Sequence, residues 1–71
     1  MIMASIYEKL GKQIEVLRRR QGLTQEQLAV KAKIDLTTVS NIESGNRNPS
    51  LKTIYTLSRA LRTPLKEMFD F

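Results

Sequence analysis

Between Thr24 and Gly45 the chain reads TQEQLAVKAKIDLTTVSNIESG, and how these residues are read decides the fold. Thr24 to Gln27 has the T-x-x-Q spacing of a capping box, in which side chains at both ends satisfy free backbone N–H groups where a helix starts. Leu28, Ala29 and Ala32 then supply an apolar face. Asp35 is a good N-cap for a second helix. That second helix is weak by composition, since Thr37 to Ile42 are each a few tenths of a kcal/mol worse than Ala. A strand would place Leu36, Thr38, Ser40 and Ile42 on one face, a poor core. Helical spacing groups Val39 with Ile42 and leaves the polar side chains outside, so a helix is expected.

The flanks extend the same pattern. Ser5 to Glu8 forms an S-x-x-E box, and Ile6, Leu10, Ile14 and Leu17 recur at helical spacing. Arg18, Arg19 and Arg20 complement the negative end of that helix, and Gly22 can supply the left-handed residue that stops it. Gly11 in its middle costs about 1 kcal/mol against Ala, which predicts a close neighbour there. After Gly45, the loop NRNPS leads to Ser50 as the next cap, and Leu51, Ile54, Leu57 and Leu61 form the core stripe of a fourth helix. Thr63 and Pro64 read as a cap and first position of a fifth, carrying Leu65, Met68 and Phe69. The expected fold is all-α, a single compact five-helix domain over residues 1–71.

Composition narrows the function. A chain of 71 residues buries only about 60% of its unfolded surface, so it must be economical or find a partner. With no Cys and no His, disulfides, thiol catalysis and the usual zinc sites are excluded. The few acids form no plausible nucleophile–base set, so no enzyme, cofactor or small-molecule ligand is expected. No apolar run approaches the roughly 18 residues of a membrane span, and no signal peptide is evident, which makes the cytoplasm the default. Twelve Lys and Arg against seven acids give a net charge of +5. That balance suits a polyanion, either nucleic acid or an anionic membrane, and equally a well-solvated basic surface. The cations are scattered rather than confined to one amphipathic face, which argues against a membrane.

Helices at about 25–32 and 36–43, joined by a turn too short for antiparallel packing, form a helix-turn-helix candidate with the second helix offered to the major groove. Here GLTQEQLAVKAKIDLTTVSNIESGNRNPS, from Gly22 to Ser50, resembles the Cro/C1-type family of phage-repressor-like DNA-binding domains. LGKQIEVLRRRQ before it and LKTIYTLSRAL after it extend the likeness over nearly the whole chain. The chain departs from the family pattern at Lys33, where a turn Gly is usual. A non-Gly residue in left-handed geometry costs roughly 1–2 kcal/mol, so Lys33 either loosens the turn or offsets the cost by reaching a phosphate.

With Val39 and Ile42 inward, Thr37, Ser40, Asn41 and Ser44 point outward and Leu36 lies at the edge. Leu36, Thr37, Ser40 and Asn41 are therefore the expected base contacts. Asn can pair with adenine, Thr and Ser can donate or accept, and Leu can meet the thymine methyl. Charge belongs on the rim, because a Lys-rich helix would grip phosphates and read sequence poorly. Gln25 starts its helix where free N–H groups suit a phosphate. The resemblance implies a phosphate contact for Gln25 and suggests that it braces Asn41. Lys33, Arg47, Asn48 and Lys52 complete the expected phosphate contacts. The resemblance also implies a partly buried salt bridge between Arg18 and Glu43.

One such module reads few base pairs, so a homodimer on a palindromic double-stranded site is expected. Tyr55, Met68, Phe69 and Phe71 concentrate apolar area for that interface, with core capping as the alternative for Leu65, Met68 and Phe69. The expected function is a sequence-specific transcriptional regulator, most simply a repressor, of phage, restriction–modification controller or toxin-neutralising type. A protein-interaction module of the same fold is the competing reading.

Overall fold

The computed structural model describes residues 5–71. It contains four α-helices, α1 (Ile6–Arg20), α2 (Gln25–Ala32), α3 (Leu36–Glu43) and α4 (Leu51–Ala60), followed by a 3-10 segment, Leu65–Phe69. No strand occurs among the described residues.

The helix starts are set locally, by side chains three residues or fewer away. Ser5 Oγ accepts from the Glu8 N–H at 3.1 Å while Glu8 Oε1 accepts from the Ser5 N–H at 3.1 Å. Thr24 and Gln27 repeat the exchange at 3.0 and 2.8 Å. Asp35 and Ser50 cap α3 and α4 by accepting from the N–H groups of Thr38 and Thr53. The expected fifth helix is the exception. Thr63 turns its hydroxyl back to the Leu61 carbonyl at 3.0 Å, and Pro64 has no side chain with which to cap. Without a side-chain cap the chain tightens into 3-10 bonding, with the Glu67 N–H on the Pro64 carbonyl at 2.9 Å.

The helix ends share one pattern. Leu23, Ile34, Asn46 and Thr63 each donate a backbone N–H to the carbonyl five residues earlier. That bond needs a left-handed residue just before it. Gly22 and Gly45 supply two, at φ of 70° and 80°. Lys33 and Arg62 supply the others, at φ of 58° and 51°. Lys33 thus takes the left-handed geometry of the family's turn Gly and does not loosen the turn, and nothing in the sequence pattern marks Arg62 for the same role.

The core joins Leu10, Ile14 and Leu17 of α1 to Leu28 and Ala32 of α2, Val39 and Ile42 of α3, and Ile54, Leu57 and Leu61 at α4. Each full burial of such a side chain stabilises by about 1.5–3 kcal/mol relative to leaving it exposed. Three expectations change. Ile6 and Leu51, read as core, are 59% and 67% exposed, because both occupy the first position of their helix beyond the edge of the packed face. Met68, assigned to a dimer interface, is fully buried in the monomer. The 3-10 segment folds back on α1 and α4, and Gln13 fixes it by donating to the Glu67 carbonyl at 2.8 Å. Met68 therefore plugs the core.

Gly11 has the close neighbour its cost implies. A Cβ there would overlap the carbonyl oxygens of Ile42 and Glu43, the latter at 2.7 Å. The bare glycine lets α1 press against the end of α3.

Candidate nucleic-acid interface

α3 is held against the core by Val39 and Ile42, both essentially buried. Leu36, Thr37, Ser40 and Ser44 are exposed, and Asn41 is half-buried. The four expected base-reading residues thus share the outward side of one helix. Ser44 Oγ donates to the Asn41 backbone carbonyl at 3.0 Å, so Ser44 closes the helix end. The weak propensity of α3 is compensated by packing and by its Asp35 cap. The Asp35 carboxylate also accepts from the Thr38 hydroxyl at 2.7 Å. That bond first, then backbone N–H donors and the Arg47 charge, hold the carboxyl below its ordinary value of 3.8 against a smaller effect of desolvation.

A buried clamp fixes the other end of α3. Arg18 Nε and Nη2 donate to the two oxygens of Glu43 at 2.7 and 3.0 Å, with side chains only 8% and 3% exposed. Arg18 Nη1 donates to the Leu23 carbonyl at 2.7 Å. Gln25 Nε2 adds a bond to Glu43 Oε1 at 2.9 Å. Gln25 therefore braces Glu43 and not Asn41, because the acid lies at the buried edge of α3 facing the start of α2. An amide NH₂ has two donors, so one remains for a phosphate. Arg18, counted with Arg19 and Arg20 at the end of α1, is the member taken into the clamp.

The rim residues divide. Lys33, Asn48 and Lys52 are exposed. Arg47 is exposed too but leans on α3, donating to Thr38 Oγ1 at 3.4 Å. Arg47 and Thr38 are nine residues apart, and no local sequence signal pairs them. Tyr55 is half exposed on the outer face of α4, and Phe69 and Phe71 are exposed at the end of the chain, away from Met68. No helix among the described residues is long and apolar enough to cross a membrane.

The helix-turn-helix family model matches residues 14–68, which span both helices and the clamp. The chain belongs to the helix-turn-helix family. It is a DNA-binding regulator of transcription, as the residue pattern implies. Among curated relatives, control protein C.BamHI of Bacillus amyloliquefaciens is 36% identical over 62 residues, 86% of this chain and 76% of that protein. Control protein C.MunI of a Mycoplasma species is 35% identical over 69 residues, covering 96% and 93% of the two chains. Among solved structures, the restriction–modification controller protein C.AhdI of Aeromonas hydrophila superposes with a TM-score of 0.87 at 38% identity. That superposition covers 89% of this chain and 96% of C.AhdI.

Proposed function

We propose that this chain is a homodimeric repressor that reads a palindromic operator through α3, without catalytic activity. Leu36, Thr37, Ser40 and Asn41 make the base contacts. Gln25, Lys33, Arg47, Asn48 and Lys52 position the duplex through its phosphates. The observation that carries this reading is the outward side of α3, where short hydrogen-bonding side chains are presented on a helix clamped at both ends. A reader needs such rigidity, because a base contact is specific only if its side chain arrives in a fixed geometry. Phe69 and Phe71, exposed beyond the buried Met68, form the two-fold surface. The likeness to C.AhdI, C.BamHI and C.MunI favours the controller type among such regulators.

The test is selection from a random duplex library at physiological salt, run with the native chain and with Asn41→Ala. The native chain should recover a palindrome with half-site centres about 10 bp apart or a multiple of it. Asn41→Ala should lose discrimination at one base pair per half-site, worth about 1–3 kcal/mol. A library that returns no preferred sequence would rule out base reading and leave the protein-interaction module.

A further inference from the structure

We propose that the groove between the end of α2 and the outer face of α4 binds a further stretch of DNA backbone, with Lys31 and Arg59 as phosphate-binding residues. The inference rests on the DNA-binding reading above and extends its footprint.

Lys31, Lys33, Lys52 and Arg59 line this groove, and no carboxylate does. The salt bridges of the chain lie away from the groove: Lys12 and Arg19 share Glu15, and Arg18 holds Glu43. None of the four groove cations has a salt-bridge partner among the described residues. Their mutual repulsion works against folding, and an anion in the groove would relieve it.

Lys31 and Arg59 each lie in the last turn of their helix, where a cation complements the dipole. The dipole explains a cation at each helix end. It does not explain why both line the same groove as Lys33 and Lys52. The Arg59 guanidinium stands 6.0 Å from the Tyr55 ring centroid, within cation–π range, and its N–H groups can still donate to phosphate oxygens.

Position favours DNA over an acidic protein. Lys33 precedes the α3 cap Asp35 by two residues, and Lys52 is the second residue of α4, just past the loop that leaves α3. The groove therefore starts beside the base-reading helix, and Lys31 and Arg59 continue it. Protein interfaces are built on large anchors in dry pockets. Here Tyr55 is the one large apolar side chain, and Ala32, Thr56 and Ala60 are small.

The experiment measures affinity of the whole chain for a mixed-sequence duplex several helical turns long, as a function of salt. Each phosphate neutralised contributes about 0.9 to the slope of log affinity against log salt. The double variant Lys31→Gln/Arg59→Gln should lower that slope by about 1.8, and Lys31→Arg/Arg59→Lys should keep it. Between about 50 and 200 mM salt, the double Gln variant should then lose about twelvefold less affinity than the native chain. A loss of dipole complementarity alone would leave the slope where it was. An unchanged slope in the Gln variant overturns this inference, leaves the operator reading intact, and points to an acidic protein segment as the occupant. A native chain that binds the mixed duplex yet selects no operator fails the operator reading alone. A native chain that binds no duplex overturns both.

Discussion

Arg18 on α1 and Glu43 at the end of α3 meet in a two-bond ion pair, 2.7 and 3.0 Å, in a space that solvent scarcely reaches. Gly11, two turns earlier on the same face of α1, lets the two backbones approach closely enough for the pair to form. The angle at which α3 is presented depends on this contact, and Gln25 ties the start of α2 into it.

Removing one partner leaves a buried charge. Glu43→Ala should cost about 3–5 kcal/mol of folding stability, read from urea unfolding. The double variant Arg18→Met/Glu43→Leu should cost much less than the two single changes summed, because an apolar pair of similar volume leaves no stranded charge. A Glu43→Ala loss below about 1 kcal/mol would mean that the pair is solvated in solution.

Lys33 should show opposite effects on stability and binding. Glycine in its place removes left-handed strain of roughly 1–2 kcal/mol and adds about 0.5–1 of unfolded-state entropy. Lys33→Gly should therefore raise stability by up to about 1.5 kcal/mol. It should also lower the salt slope of DNA binding by about 0.9. A stabilised variant with native salt dependence would remove Lys33 from the phosphate contacts.

Asp35 predicts a pH effect with a definite sign. Its carboxyl is held below the ordinary value by the Thr38 hydroxyl first, then by its own and the Thr38 backbone N–H and by Arg47. The unfolded chain thus binds this proton more readily than the folded one, so the contribution is complete above the ordinary value of 3.8 and is lost as pH falls through the lower folded value. Asp35→Asn keeps an acceptor for the cap and removes the titration. Its stability should vary less with pH below about 4 than that of the native chain. Superimposable acid limbs would show that the cap does not couple to the charge.

Met68 and Phe69 are neighbours with different duties. Met68→Ala should cost about 2–5 kcal/mol of monomer stability through the cavity it leaves. Phe69→Glu should leave thermal unfolding at low concentration nearly unchanged and dissociate the dimer in sedimentation. A dimer that survives Phe69→Glu would place the two-fold surface elsewhere.

What could be read from the chain by itself was whatever acts within a few residues. The capping pairs at Ser5, Thr24, Asp35 and Ser50 span three positions, and the stripes that place Ile14, Leu28, Val39 and Leu57 inside follow one helical turn. The outward placing of Thr37, Ser40 and Asn41 follows from the same turn. The motif spacing was enough to identify the family. The tertiary structure decided the rest, because those contacts join residues whose separation in sequence carries no information. Gln25 could reach Asn41 or Glu43 until α2 was set against α3, 18 residues on. Leu51 fits the core stripe by period and misses it because its helix begins beyond the edge of the packed face. Met68 and Phe69 look alike as sequence, and only the fold-back of the 3-10 segment, held by Gln13 from 54 residues away, buries one and exposes the other. The basic groove arises where the end of α2 lies along the outer face of α4, and its cations lie scattered along the chain.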